Sequence, residues 1–106
     1  MGRVVIAAFR PHEGKEAELR EVIASRLPLL RELGMATDRP EILLRSQEGA
    51  IIEISEWASE DAIARAHQHP KVLVLWERFG ACSDYIKLDT LAEVHEMFAV
   101  FEAIDV

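Results

Sequence analysis

A chain of 106 residues, half of them apolar and 29% charged, has ordinary globular composition, and its length points to a single domain over residues 1–106. Its net charge of −7 argues against a nucleic-acid surface, which needs clustered Lys and Arg, and against an anionic membrane face. Cys82 is the one cysteine, so there is no intrachain disulfide and no Cys-x-x-Cys pair, which fits a reducing, cytoplasmic location.

The opening MGRVVIAAFR has too short an apolar run, and no small-residue cleavage site, for a signal peptide. No run approaches the ~20 apolar residues that span a bilayer. Val4 to Phe9 is apolar and rich in β-branched residues, and reads as a strand buried on both faces. Pro11 to Gly14 turn the chain. Lys15 to Leu33 follows a helical period, with Leu19, Val22, Ile23, Leu27, Leu30 and Leu33 on one broad face and Glu13, Glu16 and Glu18 near the positive end of the dipole. Pro28 should kink or restart this helix, and Gly34 should stop it.

Glu41 to Ser46 and Ala50 to Trp57 read as two strands joined by a hairpin turn at Glu48-Gly49. A two-residue loop sets Leu43 opposite Ile54 and Leu44 opposite Glu53. Ile42, Leu44, Ile51, Glu53, Ser55 and Trp57 then share one face. Ser59 is a good N-cap for a helix whose inner face is Ala62, Ile63, Ala66 and His67. His69-Pro70 ends or bends it, and a second helix runs from Pro70 through Phe79 with Val72, Leu73, Leu75, Trp76 and Phe79 mostly inward. Tyr85 to Leu88 reads as a short strand or a frayed helix end. Asp89-Thr90 are placed to cap a short helix from Leu91 to Glu96, and Met97 to Ile104 reads as the last strand.

The order strand, helix, strand, strand, helix pair, strand is the βαββαβ pattern of an α+β, ferredoxin-like fold, a four-stranded antiparallel sheet with helices on one face. Its strands are apolar on both faces. The uncovered face exceeds the few hundred Å² of apolar surface that soluble monomers tolerate, so a homodimer packed through the sheet is expected.

The element order resembles the antibiotic biosynthesis monooxygenase-like family of the dimeric α/β-barrel superfamily. The words that carry the resemblance are Pro11-His12-Glu13-Gly14-Lys15, Glu56-Trp57, Ala66-His67-Gln68-His69-Pro70, Leu75-Trp76-Glu77-Arg78-Phe79 and Met97-Phe98-Ala99-Val100-Phe101, spread over nearly the whole chain. The resemblance implies a dimeric ferredoxin-like fold. Some such proteins oxidise flat, electron-rich aromatics or quinols with dioxygen and neither metal nor flavin. Some haem-degrading relatives place an Asn, a Trp and a His around the haem. This chain contains no asparagine, so both the haem-degrading and the Asn-dependent oxygenase constellations are incomplete and no catalytic set carries over.

Among the residues themselves, His67 stands out as a proton acceptor for a phenol-like ligand, since an unperturbed imidazole titrates near ~6.5. The plainer reading is a half-buried histidine bonded to a strand group or to Glu53. Glu53, inside IIEIS, is costly if it faces the core unpaired. It either orients His67, acts as a base of raised pKa, or is solvated at an edge. Trp57, Trp76 and Phe79 could stack on a flat ring, although aromatics at such positions more often build core. His69 should bond backbone at a helix end; Tyr85 and Arg78 are rim candidates. A metal site is not expected, because His67 and His69, two residues apart on a helix, diverge by about 200°. Cys82 reads as a small core residue.

The combined expectation is a cofactor-independent monooxygenase acting on a small aromatic or quinol-like substrate. His67 and Glu53 are its catalytic candidates, and Trp57, Trp76, His69 and Phe79 its ligand-binding ones. The alternative is a non-enzymatic small-ligand carrier or dimeric interaction protein of the same fold.

Overall fold

The computed structural model describes residues 2–105. Among the described residues five strands and three α-helices follow one another as β1 (Arg3–Pro11), α1 (Glu16–Glu32), β2 (Ile42–Arg45), β3 (Ile51–Trp57), α2 (Glu60–Ala66), α3 (Pro70–Cys82), β4 (Ser83–Ile86) and β5 (Glu102–Ile104). The sheet order is β4-β1-β3-β2-β5 and every pairing is antiparallel. The sheet therefore has five strands, not four. The strand that follows the helix pair is β4, paired with the outer edge of β1. The apolar run from Met97 forms a strand only where Glu102–Ile104 reaches the free edge of β2. The rest of it is irregular and exposed, with Met97 89% and Phe98 79% accessible. The expected helix over Leu91–Glu96 is a 3₁₀ turn, Ala92–His95, preceded by another at Leu88–Thr90. The Thr90 hydroxyl donates to the Lys87 carbonyl at 2.7 Å, and the Ala92–His95 turn starts from Leu91 without a side-chain cap.

α1 passes through Pro28 as one helix. Pro28 and Ala24 both lie on its exposed side, so the carbonyl that loses its N–H partner can be hydrated. Gly34, at φ +71°, closes the helix: its N–H bonds the Arg31 carbonyl and the Met35 N–H bonds that of Leu30. Ser59 caps α2 through a 3.0 Å bond from the Ala62 N–H, as its sequence position predicts.

The β2–β3 register differs from the expected one by a single place. Ser46 and Ala50 close the hairpin around the three residues Gln47, Glu48 and Gly49, with Gly49 at φ +92°. Leu43 therefore lies opposite Glu53 and Ile42 opposite Ile54. Ile42 and Leu44 belong to the face away from the helices, and Leu43 takes the inner position assigned to them. Phe9, Leu43 and Ile51 meet Leu19, Val22 and Ile23 of α1 and Leu75, Phe79 and Cys82 of α3 in the main core. A second cluster joins Trp57 to Leu27, Leu30, Met35, Ala62, Ala66 and Val72. Leu73 turns outward, at 41% exposure.

On the other face, Leu91 covers Ala8, Ala50 and Ile52, with Phe101 packed beside them. Val4 (58%), Ile6 (47%) and Ile42 (53%) stand uncovered, so on this face β1 is buried within one chain only at Ala8. Among the described residues no helix is long and apolar enough to cross a membrane.

Candidate functional site

Between the helices and the inner face of the sheet lies a cleft of about 330 Å³, lined by Val5, Ala7, Phe9, Arg26, Glu53, His67, Trp76, Phe79 and Tyr85. Alternation along β1 aims Val5, Ala7 and Phe9 into it. Phe79 stacks on Phe9 with ring centroids 4.9 Å apart, and Tyr85 leans on Phe9 at 5.1 Å, which makes one aromatic wall. Trp76 stands across it, half-buried, with His67 edge-on at 4.9 Å.

His67 is the C-cap of α2 and sits exposed at the mouth of the cleft. Its Nδ1 is 2.8 Å from the Ile63 carbonyl. Nδ1 must therefore carry the proton in the neutral ring, and the Nε2 lone pair is the one that can take another. The orienting partner is thus a backbone carbonyl of the same helix, and Glu53 is engaged elsewhere.

Glu53 forms the floor, with a side chain 1% exposed. Arg26 Nη1 is 3.4 Å from Glu53 Oε1, but its better hydrogen bond, at 3.0 Å, goes to Ser55 Oγ. The Arg26 guanidinium lies 5.3 Å from the centroid of the Trp57 ring, which adds a cation–π contact on its other side. Both Glu53 carboxyl oxygens and Oε2 of Glu41 lack a hydrogen-bond donor. Burial, with the neighbouring Glu41 carboxyl adding to it, pushes the Glu53 carboxyl up to about 8, against the opposing pull of Arg26. Burial likewise raises the Tyr85 phenol, and that of the Cys82 thiol, which lies in the core.

Of the residues singled out from sequence, the fold brings His67, Glu53, Trp76 and Phe79 together around one space. Trp57 is 5% exposed and packed among Met35, Ala62 and Val72, behind Arg26. His69 caps α3, its Nδ1 accepting from the Lys71 N–H at 3.2 Å. Arg78 is exposed on α3 and donates to Ser25 Oγ at 3.3 Å. Tyr85 does line the rim. Arg26 escaped the sequence reading, although its signal was present: it falls within the inward stripe of Leu19, Val22, Ile23 and Leu27, and a charge on that stripe needs a partner. Among the described residues no group of three or more His, Cys, Asp or Glu side chains comes together as a metal site.

The antibiotic biosynthesis monooxygenase family model matches residues 3–77, which takes in β1 through the first half of α3 and all of the cleft except Phe79 and Tyr85. The chain belongs to that family. No curated protein and no solved structure gives a match. In this family member the cleft joins an aromatic wall to three polar groups: an imidazole at the mouth, and a guanidinium and a carboxyl at the floor.

Proposed function

We propose that this chain is a cofactor-independent monooxygenase that oxidises a small aromatic or quinol-like molecule in the cleft between sheet and helices. The observation that carries this reading is the pairing of an aromatic-walled space of about 330 Å³ with an imidazole whose free lone pair is set by the Ile63 carbonyl. Such a space suits a flat ring stacked beside Phe9, Phe79 and Trp76.

Chemistry follows from that placement. His67 Nε2 takes a proton from an acidic C–H or phenolic O–H of the ligand. The resulting anion gives its electrons to dioxygen and a carbon–oxygen bond forms. Loss of water from the protonated peroxide leaves one oxygen atom in the product carbonyl and one in water. Arg26 and Glu53 hold the far end of the ligand, so the pocket contributes position as well as proton transfer.

The same reading includes a homodimer through the open sheet face, which would shelter the exposed Val4, Ile6 and Ile42. It includes a cytoplasmic location, supported by the single cysteine, and no nucleic-acid or membrane partner, supported by the −7 charge. A ligand-binding module without chemistry is the second reading. Exposure of His67 favours it, since a base at the mouth stays in contact with water.

Oxygen uptake with anthrone and with a naphthohydroquinone, in wild type and in His67→Ala, tests the proposal. The expected loss in the variant is about 10²-fold or more with the fold retained. Undiminished uptake in the variant removes the histidine from the mechanism. Binding of both compounds with no uptake by wild type selects the carrier reading.

A further inference from the structure

Among the described residues three buried carboxyl oxygens lack a donor: Oε1 and Oε2 of Glu53 and Oε2 of Glu41. Native interiors rarely leave such groups unsatisfied, and each orphan is costly. Arg26 does not repair the deficit: it forms an ion pair with Glu53 at 3.4 Å without a hydrogen bond, and its 3.0 Å bond goes to Ser55 Oγ. Register explains why the two acids meet. Leu43 lies opposite Glu53 on the inner face, and Glu41, two residues before Leu43, falls on the same side. Two carboxylates at hydrogen-bonding distance repel, whereas a carboxylic acid beside a carboxylate attracts. One added proton turns the contact into a bond.

We propose that Glu41 and Glu53 share a single proton, and that this acid pair beside Arg26 is the hydrogen-bond-donating end of the cleft, where it takes an acceptor oxygen of the ligand. The proposal rests on the cleft being the ligand site. In the empty cleft the proton bridges the two carboxyls. With a ligand oxygen in reach it turns toward that oxygen, and the Glu41 charge keeps it on Glu53. Glu41 is then a positioning residue acting through Glu53. The groups that face the pair are Arg26 from α1, Tyr85 from β4 and, at the mouth, His67 from α2; α3 contributes the uncharged Trp76 and Phe79. Arg26 is the one fixed positive charge among them. With one shared proton the pair carries a single negative charge that Arg26 balances, so the floor is neutral. Loss of that proton leaves it net negative and without a carboxyl donor.

The ligand class this selects is a flat aromatic with a carbonyl or similar acceptor oxygen at one end. The test uses 1-tetralone and tetralin, which match in size and differ in one carbonyl oxygen. Their binding is followed by tryptophan fluorescence from pH 6 to 9.5 in wild type, Glu53→Gln and Glu41→Gln. Wild type should prefer the ketone by about tenfold at pH 6, one hydrogen bond's worth, and lose that preference at the alkaline end. Glu53→Gln keeps an N–H donor and should hold the preference at every pH. Glu41→Gln removes the neighbouring charge and should bring the loss to lower pH. In parallel, the protonated-carboxyl stretch in infrared difference spectra should persist at neutral pH in wild type and vanish in Glu53→Gln. Equal affinity for the two probes at pH 6 overturns the proposal, as does a pH response that Glu41→Gln leaves in place. If Glu53→Gln does not fold, the wild-type infrared titration and Glu41→Gln still decide. Neither probe requires turnover, so a chain inactive toward dioxygen can still show the preference, and an active one can fail to.

Discussion

Replacing Glu53 by Gln should make the protein more stable at alkaline pH and leave it nearly unchanged in mild acid. The side chain is 1% exposed, and its carboxyl is raised from the ordinary 4.5 to about 8 by burial, with the Glu41 carboxyl adding to it. The folded state therefore holds a proton over an interval in which the unfolded chain has released it. A raised folded value means that this contribution to stability is fully present below about 4.5 and is lost as pH rises toward about 8. At ~1.4 kcal/mol per pH unit, the span corresponds to an upper limit of roughly 5 kcal/mol for wild type. Gln has nearly the same shape as the protonated acid and cannot ionise, so its profile lacks this slope. Urea unfolding followed by tryptophan fluorescence, at intervals from pH 5 to 9, measures both proteins. The difference between them reports the Glu53–Glu41 pair, because the remaining titrating groups are common to both. The two curves should diverge steadily above pH 5, with the variant a few kcal/mol the more stable by pH 9. Parallel curves, or a wild type that gains on the variant as pH rises, would refute a protonated Glu53 in the folded state.

Phe79 is 1% exposed and stacked on Phe9, so Phe79→Ala should cost ~3–5 kcal/mol in the same unfolding assay and widen the cleft. Ser59→Ala removes the bond to the Ala62 N–H and should cost ~1 kcal/mol, seen also as faster amide exchange in the first turn of α2. Gly49 sits at φ +92°, and Gly49→Ala should destabilise by about 1 kcal/mol or more, because a side chain there is strained whatever space surrounds it. The double change Val4→Lys with Ile6→Lys puts charge on the open face, where the two residues are 58% and 47% exposed. Sedimentation equilibrium should then report a 12.0 kDa species in place of the dimer proposed for the wild type. A wild type that already sediments at that mass would remove the dimer.

Much of the fold is legible in the sequence because periodicity is local. The apolar, β-branched run from Val4 to Phe9, and the stripe of Leu19, Val22, Ile23 and Leu27, each identify their element without knowledge of the rest. The failures are those of context. Met97 to Ile104 has strand composition throughout, but a strand exists only where an edge offers partners, and that edge begins opposite Glu102. The short stretch from Ser83 carries a weaker pattern and is a strand because β1 has a free side. The hairpin register is open to the same ambiguity, since Glu48-Gly49 fits a loop of two residues or three, and only the Ser46–Ala50 closure distinguishes them. The cleft shows the same division. His67, Glu53, Trp76 and Phe79 were visible as unusual residues in regular elements, whereas the contribution of Arg26 depends on α1 lying over β3. Trp57 illustrates the limit from the other side: the sequence allows it as a pocket wall or as core, and its neighbours make it core.

The third residue of the β2–β3 connection has an influence that reaches well past the connection. Were the chain to turn on Glu48 and Gly49 alone, with Gln47 paired to Ala50, the strand before them would slide by one residue against Ile51–Trp57. A slide of one residue exchanges the two faces of that strand, so Ile42 and Leu44 would come under Arg26, and Glu41 would turn out toward Glu56 on the far side. Glu53 would lose its acidic companion with neither residue altered, which makes the length of a solvent-facing bend part of what sets the acidity of the pocket floor.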